Sequence, residues 1–170
     1  MSGLSAGFRK QKGGKDMRKL LPIIFILIMG LATAGIASQK SFKAVLSGNE
    51  EAPAVKTMAK GEATFTLSND GKELLYKVTV SDIENVSAAH IHAGKMGKNG
   101  PALALVDIKG KKVGKFSGTL AEGKITSNEL LGPLKGKSVN DLVKEIEAGD
   151  TYLNVHTDKH PDGELRAQIK

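Results

Sequence analysis

Two histidines set two residues apart, His90 and His92, stand in the run Ser87-Ala88-Ala89-His90-Ile91-His92-Ala93-Gly94, and the chain holds only four histidines in all. On an extended strand, successive side chains alternate faces with a rise of about 3.3 Å per residue. These two imidazoles therefore project from one face, roughly 6.6 Å apart at the backbone. Ile91 points the other way, toward a core. His156 and His160 follow in Tyr152-Leu153-Asn154-Val155-His156-Thr157-Asp158-Lys159-His160, which begins with the apolar–polar alternation of a half-buried strand. Three neutral imidazoles plus an open position suit copper or zinc. The candidate site is thus His90, His92 and His156 meeting across neighbouring strands, with His160 or Asp158 completing the shell. The same residues also permit a metal-free cluster in which the histidines and Asn154 bond one another, since buried polar groups must find partners. If metal binds, affinity should fall as pH drops through about 6.5, because ligation needs unprotonated rings.

Other chemistries find little support. The chain has no Cys, which removes disulfides, thiolate ligands, a thiol nucleophile and a lipid-modified cysteine together. No serine stands in a triad context. Gly94-Lys95-Met96-Gly97-Lys98-Asn99-Gly100 is glycine-rich but leads into a strand and lacks a phosphate-loop pattern, so it reads as a flexible rim. Glu164 and Arg166, two apart on one strand face, could pair with each other or reach toward His156, and the solvated ion pair is the preferred reading. No catalytic residue is assigned, and an enzyme is the less favoured class.

Positioning the histidines takes a scaffold of strands. Phe42, Ala44 and Leu46 share one face of Ser41 to Gly48, and Ala63, Phe65 and Leu67 share one face of Gly61 to Leu67. Asn69-Asp70-Gly71-Lys72 is a tight-turn signal, after which Leu74, Tyr76, Val78 and Val80 line the returning strand of a hairpin spanning about 61–81. Ala102 to Ile108 suits a buried strand. Val113, Phe116 and Leu120 are core candidates in a weakly alternating stretch that a turn at Glu122-Gly123 is expected to close. Ser138-Val139-Asn140-Asp141 is an acidic capping box, and Val139, Leu142, Val143 and Ile146 recur at helical spacing before Gly149. The last strands are Thr151 to Thr157 and Glu164 to Lys170, the latter with Leu165, Ala167 and Ile169 inward. Seven or eight short strands and one short helix define an all-β chain, an antiparallel sandwich or closed barrel rather than a βαβ fold.

The front of the chain has a different character. Arg9, Lys10, Lys12, Lys15, Arg18 and Lys19 precede the apolar run Leu20 to Leu31, and small residues follow as far as Ser38. A basic start, a short apolar middle and a small-residue end make a secretory signal. Residues 1–37 are assigned as N-terminal extension and signal peptide, cleaved after Ala37, with cleavage after Ala34 and a start at Met17 also open. Residues 38–170 form the mature domain. The expected location is periplasmic or secreted, with membrane contact only through the signal segment before cleavage, or a membrane anchor if it is retained. The formal charge of +7 belongs mostly to this segment. Six of the 25 Lys and Arg and one of the 18 Asp and Glu lie in it, leaving 19 basic and 17 acidic residues afterwards. With no basic stripe studded with aromatics, nucleic acid is not an expected partner.

Four separated motifs occur in order along the mature part: Leu46-Ser47-Gly48-Asn49-Glu50-Glu51-Ala52-Pro53, then Ala88 to Gly94, then Asn99-Gly100-Pro101, then Tyr152 to Thr157 running through Pro161-Asp162-Gly163-Glu164-Leu165-Arg166-Ala167-Gln168. Together they resemble the CHRD domain, the module repeated in the developmental antagonist chordin and found alone in many exported microbial proteins. The resemblance covers about Phe42 to Ile169, with Ala167 standing where the family usually has Gly. It implies an immunoglobulin-like or superoxide-dismutase-like β-sandwich and an extracytoplasmic location, without a settled activity. A fainter similarity to the copper-zinc superoxide dismutases would set His90 and His92 at copper-ligand positions, but Gly94 to Ala104 has no histidine to match that family's zinc loop. Two functions are therefore expected in competition. One is a non-catalytic binding or structural module that contacts an extracytoplasmic protein or envelope polymer; the other is a metalloprotein that uses the histidine cluster for copper or zinc binding or for redox chemistry.

Overall fold

Alternation of apolar and polar residues decides most of this fold, because each strand has one face to bury. The computed structural model describes residues 39–170; the expected signal segment and its cleavage point after Ala37 lie outside the described residues. Seven strands follow in chain order: β1 (Ser41–Ser47), β2 (Lys60–Leu67), β3 (Leu74–Ala93), β4 (Ala102–Leu105), β5 (Lys112–Ile125), β6 (Thr151–Thr157) and β7 (Leu165–Gln168). Among the described residues a single α-helix, α1 (Val139–Glu147), precedes β6. Every strand pairing is antiparallel.

The hydrogen-bonded order β2-β1-β7-β6-β3, together with the pairing of β2 to β3, closes five strands into a ring. Of the two architectures that the strand pattern allowed, the connectivity is that of a closed barrel, with β4 and β5 added along β3. Closure works because β3 is long and bent. Its first half pairs β2 on one side and β5 on the other, while its second half pairs β6 and β4. The bend falls at Asp82 and Asn85, both at positive φ, where the register against β5 also slips. Such bulges sharpen the local twist and re-aim a strand. Two bonds across the slip hold the bend: the Asp82 N–H donates to Ser117 Oγ, and the Gly114 N–H donates to Asn85 Oδ1.

The expected hairpin is present, with Gly61 opposite Val80 and Leu67 opposite Leu74, and Gly71 sits at φ 70° in its turn. The helix begins as its capping box foretells, since Asp141 accepts from both the N–H and the hydroxyl of Ser138. Its apolar face of Val139, Leu142, Val143 and Ile146 joins the same buried cluster as Phe65, Leu74, Ile91 and Leu153.

The stretch 112–125 departs from expectation. Glu122-Gly123 is no turn but lies inside β5, and Val113 is 83 % exposed. Because β5 bonds to β3 and carries Gly114 and Gly118 at positive φ, its alternation is broken: Phe116 packs half-buried against the core as expected, and Leu120, Ala121 and Ile125 are fully inside. Gly123 is required there for a tertiary reason. It faces Tyr76 across the ladder, and a Cβ would fall 2.8 Å from the Tyr76 hydroxyl, which accepts from the Asp107 N–H. A second departure bears on function. Glu164 and Arg166 do face away from the core, yet they are buried, Arg166 to 1 % exposure, because loops cover that side of the sheet.

Candidate metal centre

The pairing of β3 with β6 sets His92 opposite Tyr152, His90 opposite Asn154 and Ala88 opposite His156. These residues share one face, while Ile91, Leu153 and Val155 fill the core on the other. The strand alternation thus brings three histidines from two strands together. One ring nitrogen from each of His90, His92 and His156 lies within 4.8 Å of the others, and all three side chains are half-buried.

Backbone carbonyls decide which nitrogen each ring offers. His92 Nδ1 lies 3.0 Å from the Gly100 carbonyl and His156 Nδ1 lies 2.8 Å from the Pro161 carbonyl. A carbonyl only accepts, so both Nδ1 atoms carry the proton and both Nε2 atoms keep a free lone pair. His156 Nε2 accepts a hydrogen bond from His90 Nδ1 at 3.3 Å, a bond between histidines of the kind the metal-free cluster expects. His92 Nε2 is buried without a hydrogen-bond partner among the described residues. Carbonyl-held imidazoles are the usual outer support of a metal-binding histidine. Moreover, two nitrogens about 2.0–2.1 Å from one tetrahedral ion stand about 3.3–3.4 Å apart, so His90 and His156 are already at ligand spacing.

Electrostatics favour the neutral, ligating form. Burial lowers the pKa of His90 to about 4, helped by the neighbouring His156 and His92. Burial likewise lowers His92 and His156, against the raising effect of their carbonyl partners. The fourth histidine does not join. His160 lies in the turn after β6, where its N–H donates to Thr157 Oγ1 and its carbonyl accepts from the Gly163 N–H, and it stands outside the three-histidine group. Asp158 is engaged in an ion pair with Lys111 at 2.6 Å. Neither completes the shell in this geometry.

The family model for the CHRD domain matches residues 42–169. The chain belongs to the CHRD domain family. No curated protein and no solved structure gives a significant match.

The CHRD motifs that carry no histidine build a second, buried polar layer beside the three imidazoles. Asn154 donates to Glu51 Oε1 at 2.5 Å, bringing the first motif onto β6. It does not bond the histidines, as the metal-free cluster had it. Gly163 of the Pro161-Asp162-Gly163 motif lies against this pair at φ 133°, where a Cβ would overlap both Asn154 and Glu51. Glu164 accepts from Thr57 and Thr157, each at 2.7 Å. Arg166 donates to Asn99 Oδ1 and to the Lys95 and Lys98 carbonyls, and Gln168 donates to the Gly94 carbonyl. The loop 94–100 is therefore no flexible rim. It is clamped, and its far end supplies the Gly100 carbonyl that orients His92.

Tyr152 completes the arrangement. Its ring stacks on His92, with centroids 5.1 Å apart and planes 13° from parallel, and Arg166 Cζ lies 3.5 Å from the Tyr152 centroid. Sequence reading overlooked Tyr152, Glu51 and Asn99 as parts of the site. Alternation along β6 and β7 already sets Tyr152, Asn154 and Arg166 on the histidine face; what it lacks is the loop cover.

Glu51 gives a pH test of this buried layer. It is 9 % exposed, and burial raises its pKa to about 7, against the lowering effects of Arg166, the Ala52 N–H and Asn154. Between its unfolded value near 4.5 and about 7, the folded chain holds a proton that the unfolded chain has released, so its contribution to stability falls as pH rises through that window. The histidines act oppositely: their lowered values mean that stability is lost as pH falls below about 6.5. Glu51→Gln should remove the first effect alone. In metal-free protein, unfolding free energies from urea titration should rise more from pH about 5 to about 8 in Glu51→Gln than in wild type, by about 2 kcal/mol after allowance for solvent screening. Parallel curves would show that Glu51 ionises as freely in the folded state as in the unfolded one.

Proposed function

We propose that this CHRD protein is an exported, non-catalytic module that binds one copper or zinc ion through His90, His92 and His156. The observation that carries the reading is the directed set of nitrogens. Backbone carbonyls hold two Nδ1 protons outward, and His156 Nε2 sits 3.3 Å from His90 Nδ1. A merely structural cluster gains nothing from a buried, unpartnered His92 Nε2, which costs on the order of 1–3 kcal/mol when left so. Imidazole suits both copper and zinc, and without Cys there is no thiolate to draw other chemistry to the site.

Export is supported by the basic, apolar and small-residue order of residues 9–38. Mature protein from the producing cell should begin after Ala37. The two-layer sandwich that the family resemblance implies is the finer reading of the five-strand ring, with bent β3 passing from one layer to the other.

The decisive experiment is metal analysis after dialysis of the purified protein against copper or zinc and then against weak chelator. One ion per chain is expected, and none in a variant with all three histidines replaced by Ala. Equal metal content in the two proteins removes the metal site.

A further inference from the structure

The cluster of ligands is neutral, but its surroundings are not. Arg166 is buried to 1 % exposure, and among the described residues it forms no ion pair. Its guanidinium is satisfied instead by neutral acceptors: Asn99 Oδ1 at 2.8 Å, the Lys98 carbonyl at 2.8 Å and the Lys95 carbonyl at 3.1 Å. It also lies against the ring of Tyr152, which in turn stacks on His92. A permanent positive charge therefore stands one aromatic ring away from a ligand.

Among the described residues, none of the nearby acids is in ion-pair contact with that charge. Glu51 is bonded to Asn154, and burial favours its neutral form. Glu164 has one oxygen on Thr57 and the other on Thr157. Asp162 acts on His156, where it favours the charged ring. No carboxylate belongs to the ligand group.

From this juxtaposition, and resting on the three-histidine metal reading above, we infer that Arg166 is a specificity residue that makes the site favour monovalent copper over divalent zinc. Three neutral ligands add no negative charge to the ion, so the second unit of charge on a dication meets the full repulsion of the guanidinium. At a separation on the order of 10 Å and an effective dielectric near 20, one unit charge corresponds to about a tenfold change in affinity. Arg166 thus weakens zinc about tenfold more than it weakens monovalent copper.

The test compares affinities for monovalent copper and for zinc in the purified protein. Copper is measured anaerobically with ascorbate against a chromophoric chelator of monovalent copper, zinc against a chromophoric zinc chelator. Arg166→Gln removes the charge, and Arg166→Lys retains it. Asn99→Asp offers a gentler route on an exposed position, placing a carboxylate where Asn99 Oδ1 now accepts from Arg166. Asn99→Ala loses the same amide without adding charge. The copper-to-zinc affinity ratio should fall about tenfold in Arg166→Gln and in Asn99→Asp, and stay near wild type in Arg166→Lys and Asn99→Ala. Should Arg166→Gln fail to fold, the Asn99 pair decides alone. A ratio that is unchanged in Asn99→Asp, or that falls equally in Asn99→Ala, overturns the inference while leaving the metal site standing. Failure of wild type to bind either ion better than the triple-Ala variant overturns the metal reading itself, and this inference with it.

Discussion

Replacing any one of His90, His92 or His156 by Ala is expected to weaken copper or zinc binding by at least about a hundredfold, whereas His160→Ala should change it by less than about threefold. Loss of an outer partner alone commonly costs 10–100-fold in affinity, and a ligand contributes more than its support. The contrast follows from position. The first three histidines converge within 4.8 Å, but His160 is held in a turn outside them. Competition titration against a chelator is the measurement, and comparable losses at all four positions would mean that the ligand set is wrong.

The same titration run against pH carries a second discriminating result. Unperturbed imidazoles lose affinity as pH drops through about 6.5, the behaviour expected from histidine alone. In the folded protein burial lowers all three, His90 to about 4. Competition from protons should therefore begin below the ordinary histidine range, and affinity at pH about 6 should stay within a few-fold of that at pH about 7. A fall centred on 6.5 would show that the rings are solvated as freely as in an unfolded chain.

Ile91→Asp should destabilise the protein by at least about 4 kcal/mol, a large part of the 5–15 kcal/mol that holds a typical domain folded. Ile91 is fully buried between His90 and His92 in sequence, and it lies across from Leu153 on β6 and Ala104 on β4. An ionised carboxylate there has no partner, and burying one is far costlier than losing the apolar contacts. Lys98→Asp, on the exposed loop, should shift stability by no more than about 0.5 kcal/mol, because the bond from Arg166 goes to the Lys98 backbone carbonyl and survives the change. Urea unfolding of both variants makes the comparison. Equal effects would place Ile91 outside the core, and His90 and His92 could then not share the opposite face.

What the sequence determined by itself was local and periodic. The two-residue spacing of His90 and His92 placed them on one face, the turn at Asn69-Asp70-Gly71 set the register of the hairpin, and Ser138 with Asp141 started the helix, each through neighbours a few residues away. Four motifs in order also pointed to the CHRD family. Tertiary structure decided the rest, since it depends on which distant segments cover a given face. Asn154 meets Glu51 across 103 residues and Arg166 meets Asn99 across 67. These contacts turn an outward strand face into a buried polar layer, so Glu164 and Arg166 look solvated from the alternation of β7 and are not. His160, four residues beyond His156, is carried away by its own turn, and β3 closes the ring only because positive φ at Asp82 and Asn85 bends it. Alternation specifies which side of a strand a residue takes, but not what lies on that side. The cover comes from loops whose position depends on hydrogen bonds between residues far apart in the chain.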